Sequence, residues 1–251
     1  MNPILTAAVV FATLFSAGLL GIWLRQRLPH HHLKDETKEA VRIGMKSVAT
    51  MAALVLGLLV ASTYGAYDTE KNEVIQLAAK IIHLDQLLIN CGPGATESRE
   101  VLRGAVRSAT LRIWPAAEVG QGTPAPADAW TQALPKAIQA ISTSDEAQRT
   151  FKSQAAALAN DLGQMRWLLF EQTESSVSAP LLVIMVFWLA LTFVSVGLFA
   201  PPNATVIIAQ LTAALSVAGA IFLILELDRP FDGLIRISSG PMLNALGYLA
   251  R

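Results

Sequence analysis

Long stretches of this chain carry no charge, and that absence excludes most alternatives at the outset. No Asp, Glu, Lys or Arg occurs in Met1 to Leu24, in Ser47 to Tyr67, or in the fifty-one residues from Ser175 to Leu225. Cysteine is almost missing too: Cys91 stands alone, so no intrachain disulfide can form, and no Cys/His pair has zinc-ligand spacing. Net charge is zero, the sequence pI is near 6.9, and no basic face with interleaved aromatics is present, which excludes a nucleic-acid partner. There is no serine elbow, no glycine-rich phosphate loop followed by Lys-Ser/Thr and no His-Glu-x-x-His, so no enzyme and no cofactor is expected. The uncharged runs hold no mid-span carboxylate or lysine, which argues against a proton-coupled pump.

What is present matches lipid as the solvent. Hydrophobic residues make up 53% and charged residues 15%, against about 25% charged in ordinary globular domains, and mean hydropathy is +0.46. Met1 to Leu24 is long enough to cross the hydrocarbon core, which takes about 20 helical residues. The first basic residue, Arg25, follows this run instead of preceding it, so the run reads as a retained span and not as a secretory signal. Trp23, Arg25 and Arg27 mark a membrane surface. Residues 25–46 form a polar connector whose second half, from Asp35 and Glu36, reads as the start of a helix. Ser47 to Tyr67 is the second span. Ser175 to Leu225, broken only at Ala200-Pro201-Pro202-Asn203, gives the third and fourth as a hairpin.

Between the two pairs of spans lies an expected all-helical lobe, residues 68–174, so the fold class is all-α with four spans. Val74, Leu77, Ala78, Ile81, Leu84 and Leu88 continue the second span out of the membrane as one helix, until Cys91-Gly92-Pro93-Gly94 stops it. A helix from Glu97 to Trp114 follows, then a Gly/Pro/Ala-rich loop from Pro115 to Pro126 and a short helix around Ala127 to Ile141. A helix opening near Ser144 to Glu146 then runs toward span three with Phe151, Ala155, Leu158, Leu162, Met165 and Leu169 as a seam. Residues 227–251 are left as a C-terminal tail.

Four places carry candidate function. Ala49, Ala53, Gly57, Ala61 and Gly65 recur every four residues in span two; such a stripe serves either close helix packing within one subunit or a smooth wall beside a pore. Arginines 99, 103, 107 and 112 form a solvated helix face or one that meets an anion. His30, His31 and His32, near Asp35 and Glu36, are the one group with metal-binding chemistry, but three consecutive histidines cannot all face one ion on a helix, and no metal site is assigned. At the exit of span four, Glu226, Asp228, Arg229, Asp232 and Arg236 crowd against Pro230, with Glu226 and Arg229 spaced as an i,i+3 pair. This exit either anchors the helix end or braces an oligomer or ion path.

Charge does not orient the chain. Six cations flank the membrane on the connector side (Arg25, Arg27, Lys34, Lys38, Arg42, Lys46) and six on the lobe side (Lys71, Lys80, Arg166, Arg229, Arg236, Arg251), a tie under the positive-inside rule. The short connector is the denser in cations.

Two segments resemble bestrophins. Gly57 to Asp68, through Ala66-Tyr67-Asp68, resembles the end of their second span. Leu225-Glu226-Leu227-Asp228-Arg229-Pro230-Phe231-Asp232-Gly233 resembles their Glu-Leu-Glu-x-Pro-Phe-Gly segment after span four. The order of parts agrees as well. Nearly the whole chain resembles bacterial membrane proteins described as bestrophin-like, with Leu28-Pro29, Ala53 to Ala61, Arg112-Ile113-Trp114, Phe199-Ala200-Pro201 and Asn203-Ala204-Thr205 as recurring marks. The resemblance implies a pentameric channel for inorganic ions in the bacterial inner membrane, its pore lined by span two, with the lobe and both termini cytoplasmic. The chain departs from that pattern in three respects. Ser47 to Thr63 holds no aromatic residue, Asp232 stands where glycine follows Pro-Phe, and Leu234-Ile235-Arg236 replaces the acidic run that clasps calcium in animal members, so calcium gating is not carried over.

The expectation is therefore a homo-oligomeric, lipid-embedded, passive ion channel that conducts anions. Ala53, Gly57, Ala61 and Thr63 are expected to line or back the pore, with Tyr67, Asp68, Glu226, Asp228, Arg229, Phe231 and Asp232 bracing it. The alternative is a non-conducting sensor or scaffold whose lobe recruits a cytoplasmic partner.

Overall fold

The computed structural model describes residues 2–28, 35–115, 132–171 and 179–251, and among these every regular element is helical. In order they are α1 (Pro3–Arg27), α2 (Asp35–Asn90), a short 3₁₀ turn (Pro93–Ala95), α3 (Thr96–Ile113), α4 (Leu134–Ala140), α5 (Glu146–Glu171), α6 (Ala179–Phe199), α7 (Ala204–Leu227) and α8 (Gly240–Leu249). Four helices, α1, α2, α6 and α7, are long and apolar enough to cross a membrane. The chain divides into two compact units. One comprises Met1–Tyr67, Ser175–Arg229 and Gly233–Ile235, and the other Asp68–Glu174, Pro230–Asp232 and Arg236–Arg251; α2 contributes to both.

In the first unit α1 packs chiefly on α6 and less extensively on α7. Lipid is as apolar as leucine, so the hydrophobic effect cannot drive this packing; close van der Waals fit must. The sequence supplies it with glycine. A Cβ at Gly197 of α6 would collide with the Gly18 carbonyl oxygen and lie 3.1 Å from the Gly21 Cα, so the backbones of α1 and α6 touch. Val10, Leu14, Leu182, Met185, Phe193, Ala214, Ile221 and Leu225 form the buried core, while Val183, Phe187, Ile208 and Leu215 remain exposed, as side chains facing hydrocarbon would.

Local chemistry sets the ends. Asn2 caps α1, its Oδ1 accepting from the Ile4 N–H at 3.1 Å. Arg27 lies over the Trp23 ring at 5.1 Å, and Arg25 donates to the Ala200 carbonyl, tying the end of α1 to the α6–α7 turn. Asn203 caps α7 by accepting from Val206 N–H at 2.9 Å, which explains why the turn of Ala200 to Asn203 needs no charged residue to stop one helix and start the next. Gln210 is the exception to an apolar interior. It is buried against Gly18, and neither polar atom of its amide has a partner among the described residues.

The second unit has its own core, with Leu84 and Leu88 of α2, Leu102 and Val106 of α3, Leu134 and Ile138 of α4, Leu162 of α5 and Met242 of α8 fully buried. α2 does run on without interruption to Asn90, and it ends where Gly92 adopts φ +87°, a left-handed conformation suited to glycine, just before Pro93. Cys91 is 1% exposed, and burial pushes its thiol pKa up, so it is not a reactive thiolate at neutral pH. Asp145 opens α5, its Oδ1 accepting from Gln148 N–H at 2.7 Å while Gln148 Oε1 accepts from Ser144 N–H at 2.9 Å. Gln148 thus stands at the third helical position and reaches back to the residue before the cap.

Two expectations gain detail here. The helix around Ala127 to Ile141 is α4, Leu134–Ala140, among the described residues; residues 116–131 lie outside them. The C-terminal tail is partly helical. It contains α8, whose Met242, Ala245 and Leu249 are buried and which packs on α3.

Candidate functional site

The membrane half of α2 has two unlike sides. Ala52 and Thr63 are buried, and Val55, Leu56 and Leu59 pack on the core formed by the other three spans. Ala53, Gly57, Ala61 and Gly65 are exposed, and Ala49 is half-buried. A Cβ added at Gly57 or Gly65 would meet nothing within 4 Å. The small side chains are therefore not spent on packing within the protomer, in contrast to Gly18, Gly21 and Gly197, where the backbones meet. Thr63 is not brought to the open side with Ala53, Gly57 and Ala61: it is 2% exposed and its hydroxyl donates to the Leu59 carbonyl at 2.8 Å.

The exit of α7 is built around Glu226. Its carboxylate, 3% exposed, accepts from the backbone N–H groups of Leu234 and, at 3.3 Å, Ile235. Gly233 makes the turn possible with φ +97°, and a Cβ there would run into that carboxylate. The expected Glu226–Arg229 side-chain pair does not form among the described residues. A buried carboxylate gains more from two fixed backbone donors than from an exposed, mobile guanidinium, and the Arg229 side chain is exposed. Arg229 instead donates its backbone N–H to the Glu226 carbonyl at 3.2 Å. Together with Asn2, Pro3, Ile4, Gly233 and Leu234, Glu226 and Arg229 line an open cleft of about 580 Å³.

The remaining exit residues separate. Asp228 is half-buried at the C-terminal cap of α7, and Asp232 is exposed. In the second unit, Phe231 meets the edge of Trp114 at 5.6 Å between ring centres, and Trp114 Nε1 donates to the Ile237 carbonyl at 2.8 Å. Pro230 and Ile237 close that loop through a 2.7 Å backbone hydrogen bond. Tyr67 and Asp68 are half-buried, and Asp68 accepts from the Asn72 amide at 3.2 Å. His30, His31 and His32 lie outside the described residues. Among those described, no cluster of His, Cys, Asp or Glu could hold a metal.

One interaction escaped pattern reading. Asp85, 2% exposed in the lobe, receives two bonds from Arg99, at 2.7 Å from Nε and 3.1 Å from Nη2. The hydrogen bond to Asp85 raises the Arg99 pKa above its ordinary value. Arg99 therefore does not belong with a solvated arginine face. The signal was a single acid, Asp85, set among Ile81, Leu84 and Leu88.

Four apolar spans and a separate helical unit define a multi-pass membrane protein of the all-α class. The bestrophin-like domain model matches residues 12–242, and the chain belongs to the bestrophin-like family. No curated protein matches the chain.

Proposed function

We propose that this protein is a passive ion channel: a ring of identical subunits, five by analogy with bestrophins, in which the second spans border the conduction path and small inorganic anions pass. The observation that carries this reading is the open side of α2, where Ala53, Gly57 and Ala61 are exposed, while Gly18 and Gly21 of α1 and Gly197 of α6 are spent on close helix packing within the protomer. Family membership supports it. A wall of small, uncharged residues lets an ion keep much of its water and offers no fixed charge to trap it, so the path can be entered and left. The second half of the mechanism is mechanical. Glu226 and the turn over it hold the end of α7, and Phe231 against Trp114 holds the segment that follows, so each is a bracing element outside the path. In the bacterial inner membrane the lobe would face the cytoplasm. The chemistry is non-covalent throughout, and no catalytic group takes part.

Purified protein reconstituted in liposomes should release chloride down its gradient when a counter-ion shunt is supplied. Ala61→Trp should remove most of that flux without unfolding the protein, because the bulk is added where no side chain packs within the protomer. Absence of flux across several anions and cations would overturn the proposal. Stoichiometric capture of a cytoplasmic protein by the same non-conducting sample would favour the scaffold role instead.

A further inference from the structure

The cleft at the end of α7 lies where two uncharged runs reach the membrane surface, one opening α1 at Met1 and the other closing in α7 at Leu225. Its lining residues all belong to the first unit. Ile4 is 65% exposed and Leu234 77%, so the edges of the cleft are bare hydrocarbon. At the depth of lipid headgroups such edges suit the upper part of an acyl chain.

Between these edges the polar groups do not satisfy one another. Arg229 is exposed, and its guanidinium makes no ion pair among the described residues. The acid that shares the cleft, Glu226, is already engaged, its Oε1 accepting from the Leu234 and Ile235 N–H groups. Asn2 gives its Oδ1 to the Ile4 and Leu5 N–H groups, at 3.1 and 3.5 Å, which leaves the two N–H donors of its side-chain amide unused by α1. The cleft therefore offers a positive charge and hydrogen-bond donors beside apolar side chains, the complement of an amphiphilic anion.

We propose that this cleft holds the headgroup of a phospholipid, its phosphate on the Arg229 guanidinium and the Asn2 amide and its acyl chains passing over Ile4 and Leu234. A planar guanidinium matches two phosphate oxygens at once, a fit that an ammonium cannot reproduce. The cleft, about 580 Å³, is of the size that takes small organic groups, and its openness on one side leaves the chains free to enter the bilayer. A lipid seated there ties the first turn of α1 to the turn that follows α7, and it stabilises the folded protein by binding only that state. The proposal does not depend on the channel reading.

The test is native mass spectrometry of the full-length protein in detergent, titrated with dioleoylphosphatidylglycerol. The parent should retain a lipid on each subunit at concentrations where Arg229→Gln retains severalfold less, with Arg229→Lys between them. Arg236→Gln, which removes an exposed arginine of the second unit outside the cleft, should bind as the parent does. Two competitors separate the sources of binding. Dioleoylglycerol carries the same chains without the phosphate, sodium phosphate carries the anion without the chains, and neither should displace the lipid. Thermal unfolding matching the parent shows that each variant is folded. Equal retention by Arg229→Gln and the parent, a loss as large in Arg236→Gln, displacement by either competitor, or a parent that retains no lipid overturns the proposal.

Discussion

Gly197→Leu is expected to cost the protein about 3 kcal/mol and to separate α1 from α6, since the leucine side chain has nowhere to go except into the backbone of the facing helix. At Gly197 the space for a Cβ is taken by the Gly18 carbonyl oxygen, with the Ile22 nitrogen at 3.0 Å and the Gly21 Cα at 3.1 Å. Backbone cannot step aside as a flexible side chain can, so the helices must move apart and lose the contacts that lipid does not replace. Gly197→Ala should show a smaller loss, about 1–2 kcal/mol. Gly57→Leu provides the contrast, because that position has nothing within 4 Å in the protomer and the substitution should leave the fold intact. Detergent-solubilised protein, titrated with a denaturing detergent and followed by helical content, measures all three. Equal stability of Gly197→Leu and the parent would mean that α1 and α6 do not meet as closely as described.

Glu226→Ala should be the most damaging change at the end of α7, costing about 1–3 kcal/mol, because it removes the charged acceptor that the N–H groups of Leu234 and Ile235 share. Glu226→Gln keeps one acceptor oxygen and should recover part of the loss. Gly233→Ala attacks the same unit from the other side. Its φ of +97° disfavours any Cβ, and the Cβ would strike the Glu226 carboxylate, so it should resemble Glu226→Ala in stability while leaving residue 226 untouched. Thermal unfolding in detergent separates these outcomes. A stable Glu226→Ala with a disordered Gly233→Ala would show that the turn is held by something other than the carboxylate.

The parts of the fold set by one-dimensional patterns were legible in the residues. Runs without charge mark the four spans, because burial in lipid acts on each segment separately and leaves its trace in composition. The stop at Cys91 to Gly94 was equally plain, since Gly92 and Pro93 act on the local backbone. What pattern could not supply was pairing across the chain. Arg99 looks like its neighbours Arg103 and Arg107 until Asp85 is placed beside it, and nothing in the spacing announces that pairing. Glu226 illustrates the opposite error: an i,i+3 spacing with Arg229 invites an ion pair, but the chain returns eight residues later with better donors. Helix α8 is not marked out although Met242, Ala245 and Leu249 recur with helical spacing, because ten residues close to the chain's end read as part of a tail.

The candidate site shares this division. Ala53, Gly57 and Ala61 are visible in the sequence as a stripe, yet whether the stripe is used inside the protomer is a three-dimensional fact; the exposed positions show that it is not. Thr63 belongs with them by chemistry and apart from them by geometry, since a position six residues from Gly57 falls well around the helix. The hydroxyl's bond to the Leu59 carbonyl satisfies it without any partner from outside the helix.

The most direct test is a structure of the assembled protein in lipid nanodiscs, read for what borders its central axis. The account predicts a closed ring with an axial opening walled by Ala53, Gly57 and Ala61 from every copy. A lone protomer, or a ring whose axis is bordered by α1, α6 or α7, would contradict it.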